Sequence, residues 1–304
     1  MKTARLVVID TDPGVDDALA LLLAWGSPEI AVHALTTLAG NVPLVAASAN
    51  ACRLVALVRP TPSPLIAAGA AAPLGRPLRT ATYYHGDDGL GDVDNWPPSI
   101  ASIAARGATE VIVEAARRLG SDLTLIALGP LTNLALALEA DSAALRSVGR
   151  VVVMGGAIAV PGNATPTAEF NIHVDPEAAA RVFAAGLSLD LVPLDATQQV
   201  VLTRARLLQA LVHAPPVLAD HVAAFTRRSF EAETARGRTG MILHDPLAVG
   251  AALGEFVEWE PMRLTVEADG RTRRLPGLAN CRVAVRVHAE AFLNVFLDRL
   301  GRLG

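Results

Sequence analysis

The chain has 304 residues, of which 52% are hydrophobic, 18% charged and 4% aromatic, and its net charge is −4. That apolar fraction excludes a disordered or low-complexity chain, and the length suits one large α/β domain or two small ones. The mildly acidic balance argues against nucleic acid as a partner, because a phosphate backbone recruits clustered Lys and Arg. In chain order, residues 5–9 (RLVVI) predict a buried strand and 16–25 a helix, followed by a strand at 30–38 and a helix at 42–58. A short strand at 65–67 precedes a polar loop over 80–98, and a helix at 108–119 comes next. The strand 123–128 (LTLIAL) leads to a helix at 131–139, the strand 151–154 (VVVM) to a helix at 176–185, and a strand at 189–194 follows. Helical patterns at 204–212, 217–231 and 246–253 precede a hairpin (262–267 with 272–275), a strand at 281–287 and a closing helix at 289–300.

This alternation of near-continuous apolar strands with helices predicts an α/β fold, a mostly parallel sheet covered by helices. No repeat or linker divides the chain, so a single domain over 1–304 is expected. Lys2 is the only lysine, and Cys52 and Cys281 stand far apart with no CxxC pair, as in a reducing compartment. The apolar run from Leu6 to Ile9 is halted by Asp10, too short for a signal peptide, and no apolar stretch nears the ~18 residues of a membrane span. A cytoplasmic protein with no membrane partner is expected.

Ligands of open parallel sheets bind beyond the carboxyl ends of the strands, and the unusual polar residues of this chain fall there. Asp10, Thr11 and Asp12 follow the first strand, and Asp16 and Asp17 open the next helix. Gly40 and Asn41 follow the second strand, Gly129-Pro130 with Thr132 and Asn133 the fourth, and Gly155-Gly156 the fifth. Asn163, Glu169 and Asn171 lie in the loop beyond, and His244-Asp245 precede Pro246. Four carboxylates within Asp10-Thr11-Asp12-Pro13-Gly14-Val15-Asp16-Asp17 cannot all stay ionised at close range without a cation. Oxygen donors without a Cys/His set point to a hard cation, Ca²⁺ or Mg²⁺, rather than zinc. Plainer roles compete: Asp12, Asp16 and Asp17 suit a helix N-terminus, Asn41 suits a cap, and Asp245-Pro246 suits an ordinary helix start. His33 reads as a structural histidine, and 271–274 (RTRR) as a solvated turn.

Taken together, these blocks resemble the inosine/uridine-preferring nucleoside hydrolases. The resemblance runs through Asp10-Thr11-Asp12-Pro13-Gly14-Val15-Asp16-Asp17-Ala18, Thr37-Leu38-Ala39-Gly40-Asn41, His85-Gly86-Asp87-Asp88-Gly89-Leu90-Gly91 and Gly129-Pro130-Leu131-Thr132-Asn133. It continues in Met154-Gly155-Gly156, Ala168-Glu169-Phe170-Asn171, Asp175-Pro176-Glu177-Ala178-Ala179 and His244-Asp245-Pro246, in the family's order. It implies a Rossmann-like single domain with an open, mostly parallel mixed sheet, and a homo-dimer or homo-tetramer. The implied reaction is hydrolysis of the N-glycosidic bond of ribonucleosides to ribose and free base, through a calcium-activated water and an oxocarbenium-like transition state.

Carried over by motif position, the resemblance implies that Asp12, Asp17, Asp245 and the Leu128 carbonyl bind Ca²⁺. Asp16 and Asn171 would hold the ribose 2′- and 3′-hydroxyls, with Asp245 beside them at the metal. Asn163 and Glu169 would hold the 5′-hydroxyl, and Asn41 would bridge ribose and metal. Asp10 would buttress the cluster, Asp12 would accept the water's proton, His244 would be the acid for the leaving base, and His85 would contact the base. Base preference in the family varies in the stretch that corresponds to 225–233, where Phe230 is the nearest aromatic. Trp25, Trp96 and Trp259 lie outside the matching blocks, which favours inosine/uridine or pyrimidine substrates over a purine-specific pocket. Two other readings remain. A non-catalytic nucleoside or ribose binder of this fold would bind without turnover, and an aspartyl-nucleophile phosphatase would want a lysine that the chain lacks after Lys2.

Overall fold

Runs of apolar β-branched residues between helical segments fold as a nine-stranded sheet in the structure, a computed structural model that describes residues 4–99, 101–254 and 256–303. Its strands are β1 (Arg5–Thr11), β2 (Ile30–Thr37), β3 (Leu65–Ala68), β4 (Leu123–Ala127), β5 (Arg150–Met154) and β6 (Leu189–Val192). A separate antiparallel ribbon joins β7 (Val201–Leu202) to β8 (Met241–Ile242), and β9 (Val257–Val266), β10 (Thr272–Leu275) and β11 (Cys281–Val287) complete the main sheet. The order is β10-β9-β11-β6-β5-β4-β1-β2-β3. Pairing is parallel from β3 through β11, and β9 and β10 extend that edge as antiparallel strands.

Helices cover both faces. They are α1 (Val15–Trp25), α2 (Leu44–Val58), α3 (Thr82–His85), α4 (Ala108–Leu119), α5 (Thr132–Ser147), α6 (Phe170–Val174), α7 (Pro176–Ala184), α8 (Leu194–Thr197), α9 (Arg204–Leu211), α10 (Pro216–Ala235), α11 (His244–Leu253) and α12 (Ala289–Gly301). The period-two alternation of strand side chains divides the core. Val7, Ile9, Ile126, Val152 and Met154 face α1, α2 and α9 to α12, while Val8, Leu125, Val151 and Val153 face α4, α5 and α7. α1 (VDDALALLLAW) is buried from Val15 to Ala24 and packs against α11, as a helix apolar on nearly every side must. Its depth carries Asp16 and Asp17 into the interior.

Several boundaries differ from the sequence expectation for local reasons. The helix expected at 131–139 continues to Ser147 through a break at Asp141 (φ −156°, ψ 85°), whose Oδ1 accepts the Ala144 N–H and restarts the helix. The strand expected at 189–194 stops at Val192, because Pro193 has no N–H for the ladder and α8 follows. The first strand of the expected hairpin begins at Val257 rather than 262, since it also pairs with β11. α3, α6, α8, β7 and β8 were not anticipated, each being too short for hydrophobic periodicity to register. The expected loop over 80–98 holds only α3 in regular structure. Among the described residues, no helix is long and apolar enough to cross a membrane.

Candidate active site

β1 pairs with β4 on one side and β2 on the other, so the connections leaving β1 and β4 diverge and open a crevice at their carboxyl ends. Asp10, at the end of β1, points its Oδ1 to Thr36 Oγ1 (2.5 Å) and Asn133 Nδ2 (2.8 Å). Two residues on, Asp12 Oδ2 accepts the Asn41 backbone N–H (2.5 Å), and its Oδ1 is buried with no partner. Gly40 and Gly129 are glycines for Asp12's sake: a Cβ on Gly40 would overlap Asp12 Oδ2, and one on Gly129 would overlap Oδ1. The carboxylate is therefore held between two backbone segments. Asp17 accepts from Thr11 Oγ1 (2.5 Å) through Oδ1, and from Gly14 N and Asn41 Nδ2 (3.0 Å each) through Oδ2. Asp16 Oδ2 receives the backbone N–H groups of His244 (2.9 Å) and Asp245 (3.0 Å), and its Oδ1 is unpartnered.

Asp17 closes a capping box with Gly14, so it serves the helix as well as the cluster. Asn41 caps nothing: α2 has Pro43 at its N-cap position, and the Asn41 amide turns to Asp17. Asp245 is not the cap of α11 either, because that helix starts at His244 behind Leu243 and makes no side-chain cap bond. From the far side of the crevice, Asn171 Nδ2 donates to the Leu128 carbonyl (2.6 Å). Asn163 Oδ1 accepts the Phe170 N–H (2.8 Å). Glu169 caps α6, with Oε1 on Asn171 N and Oε2 on Gly156 N and Ile172 N (2.9, 3.0 and 3.1 Å).

Burial dominates the electrostatics. It pushes Asp10 up to about 7, against the hydrogen bonds from Asn133 and Thr36, and Asp16 up to about 8, against those from Asp245 and His244. Asp12 and Asp245 are held well above the usual carboxylate range by burial and then by the charge of Asp17. Asp17 and Glu169 are raised by burial too, offset by the donors around them. Burial lowers His85 to about 3 and His244 to about 4, so both are neutral imidazoles near pH 7. The Val15 N–H donates to His85 Nδ1 (3.1 Å), which leaves the ring proton on Nε2, and His244 Nδ1 lies 2.8 Å from Thr197 Oγ1.

Above the cluster lies a cavity of about 520 Å³. Asp16, Asn41, His85, Leu128, Asn163, Glu169, Asn171, His244 and Asp245 all line it, while Asp12 and Asp17 are fully buried behind. Nine of the eleven residues expected at the site thus open on one space. The aromatic expectation needs correction: Phe230 packs into the core, and the rings that line the cavity are Tyr83, Tyr84 and Phe170. Of the stretch 225–233 only Glu233 reaches it, joined by Arg236 and Arg238 just beyond. The tyrosines had a signal in the sequence, directly before His85, whereas two arginines among 25 had none.

Five buried aspartates that oppose one another's ionisation, with free oxygens on Asp12 and Asp16, form an oxygen-only donor set suited to a hard divalent cation. Among the described residues, no group of three or more His, Cys, Asp or Glu side chains is placed, as it stands, to hold a metal ion. The fit therefore rests on the donor chemistry and the orphaned oxygens.

A Rossmann-like sheet with buried carboxylates at its topological switch point, under a polar cavity, defines an α/β enzyme that acts on a small polar ligand. The comparisons are specific. The family model described as inosine-uridine preferring nucleoside hydrolase matches residues 7–294. A probable uridine nucleosidase 2 of Arabidopsis thaliana is 36% identical over 315 residues, covering 97% of each chain. An inosine-uridine preferring nucleoside hydrolase of Leishmania major is 34% identical over 314 residues, covering 99% of this chain and 98% of that one. Among solved structures, a purine-preferring ribonucleoside hydrolase from Gardnerella vaginalis superposes with a TM-score of 0.93 at 31% identity, covering 98% and 99% of the two chains. The chain belongs to the inosine-uridine preferring nucleoside hydrolase family and is a ribonucleoside hydrolase.

Proposed function

We propose that the enzyme cleaves the C1′–N bond of ribonucleosides to give ribose and free base, with inosine and uridine, or pyrimidine nucleosides generally, as its preferred substrates. The observation that carries this reading is the convergence of Asp12, Asp16, Asp17 and Asp245 beneath the cavity, with Asp12 Oδ1 and Asp16 Oδ1 free of partners. Asp12, Asp17, Asp245 and the Leu128 carbonyl would hold calcium, which would supply Lewis-acid activation of the attacking water. Asp16 and Asn171 orient the 2′- and 3′-hydroxyls, Asn163 and Glu169 the 5′-hydroxyl, and Asn41 bridges the sugar and the carboxylates.

Asp12 receives the proton of the water that attacks C1′. Its Oδ2 is fixed by Asn41 and its Oδ1 is free for that contact. Asp10 braces the cluster through Thr36 and Asn133. Carboxylates beside the ring stabilise the positive charge that develops on the ribosyl group, and a lost 2′-hydroxyl would leave buried partners unpaired, which disfavours deoxyribonucleosides. His244, expected from the resemblance to be the acid, is neutral in this setting and serves the leaving base with a hydrogen bond rather than a proton, and His85 with its Nε2–H. One domain spans 1–304, and a cytoplasmic homo-dimer or homo-tetramer is the expected form. Reducing-sugar release from inosine, uridine, cytidine, adenosine and guanosine, with and without a calcium chelator, tests the reading. Ribose release lost on prolonged chelation is expected, and stoichiometric binding without turnover would overturn it.

A further inference from the structure

The cavity is polarised in a way that the sugar chemistry leaves unused. α10 ends at its wall with Glu233, and the turn that leads to β8 returns Arg236 and Arg238 to the same wall. Glu233 Oε1 accepts from Arg236 Nη1 (2.8 Å) and Oε2 from Arg238 Nη1 (2.7 Å). The Glu233 side chain is only 3% exposed, while the side chains of Arg236 and Arg238 are about half exposed at 47% and 50%. Arg236 also lies over the Tyr84 ring, 5.3 Å from its centroid, and the charges of both Glu233 and Asp16 act on the Tyr84 hydroxyl. One carboxylate facing two guanidiniums leaves a net positive charge at this wall, in a cavity whose floor is carboxylate. Each guanidinium gives one N–H to Glu233, and its other N–H groups make no hydrogen bond to a described residue.

Heterolysis of a nucleoside creates the matching charges: a cationic ribosyl group and an anionic base. We propose that Arg236 and Arg238, positioned by Glu233, receive the departing base at a ring carbonyl oxygen and thereby select bases with a carbonyl where cytosine and adenine carry an amino group. This rests on the ribonucleoside reading of the cavity. The electron pair of the broken C1′–N bond passes to the base nitrogen and is delocalised onto the carbonyl oxygen. The water oxygen bonds to C1′, its proton goes to Asp12, and the base takes a proton from solvent. Arginine suits this task because it stays charged when partly buried and offers a rigid fork of donors. An amino group meets those donors with donors of its own and leaves them unpaired, which is how such a site discriminates.

The test compares uridine, inosine and cytidine with 4-nitrophenyl β-D-ribofuranoside, whose nitrophenolate leaves without help, in the wild type, Arg236→Gln, Arg238→Gln and the two Arg→Lys forms. Each Gln variant is expected to lower kcat on uridine and inosine by about 10- to 100-fold with little change in KM, and to shrink the uridine/cytidine ratio. Turnover of the nitrophenyl riboside should stay within about 3-fold, since a good leaving group makes little use of such donors. The Lys forms should recover part of the loss. Equal losses on uridine and the nitrophenyl riboside, or no loss on uridine, would overturn the arginine assignment. A wild type inactive on the nitrophenyl riboside and on every nucleoside would instead overturn the ribonucleoside reading and this inference with it.

Discussion

Asp-Pro occurs at Asp175-Pro176 and again at Asp245-Pro246, both at a helix start, and the surroundings of the two carboxylates differ. Asp175 is a helix cap: its Oδ1 accepts the Ala178 N–H (3.0 Å), and Pro176 occupies the first turn of α7. Its Oδ2 takes the Leu74 N–H (2.9 Å) and Thr132 Oγ1 (2.7 Å), so the group is saturated by fixed donors. Asp245 caps nothing, lines the cavity and lies among Asp12, Asp16 and Asp17, whose charges add to burial in raising it. A carboxylate whose lone pairs are filled by backbone donors can stabilise a fold but can hold neither a cation nor a substrate hydroxyl. One crowded by other carboxylates weakens the fold until something positive joins it. The dipeptide alone carries neither property, because the difference lies in what other strands and helices bring to it.

The third Asp-Pro step, Asp12-Pro13, extends the comparison to its largest expected effect. Asp12→Asn should lower kcat by about 10²- to 10⁴-fold with the fold retained, measured as ribose release alongside circular dichroism. Near-wild-type turnover would remove Asp12 from the chemistry. Asp245→Asn should cost roughly 10²-fold or more in activity, because in the proposed mechanism it removes a metal ligand and a substrate contact together. It should also melt higher than wild type in chelator, since one of the opposing carboxylates is gone. A lower melting temperature there would place Asp245 with the structural caps.

Asp175→Ala should do the reverse, losing on the order of 2–4 kcal/mol of stability from a cap and two further buried hydrogen bonds, with activity per folded molecule unchanged. Denaturant melts and active-site-normalised rates would show it. The smallest effect is the pH dependence of stability in chelator. Asp10 and Asp16 have folded-state values of about 7 and 8 against an ordinary value of 3.8, so the folded state holds protons that the unfolded chain releases. Their contribution is fully present below about pH 4 and is lost as the pH rises through 7 to 8. Added calcium should therefore raise the melting temperature more at pH 8 than at pH 5. An equal rise at both values would uncouple the cation from these carboxylates.

The sequence and the structure agree where information is local or periodic. Short, β-branched apolar runs such as VVVM read as strands covered on both faces, and the four acids from Asp10 to Asp17 are crowded by the chain itself. Asn41 and Asp245 were ambiguous because a capping residue and a site residue have the same side chain. Only their partners separate them: Asn41 turns to Asp17 and Asp245 joins the cluster, while Glu169, which carried no capping signal, both caps α6 and lines the cavity. Phe230 was the aromatic expected near the base, yet the side of α10 on which it sits turns it inward, and Tyr84 takes a place at the cavity instead.

By itself, then, the amino-acid sequence determined the α/β class, the parallel sheet and the acidic block at the first strand's end, since hydrophobic period and covalent proximity act within a few residues. Tertiary structure alone decided that Gly40 and Gly129 clamp Asp12, that Asp16 meets a helix start 228 residues away, and that Glu233 holds two arginines at the cavity wall. Those depend on the strand order at the switch point and on the depth of α1, and burial there is what turns ordinary carboxylates into a site.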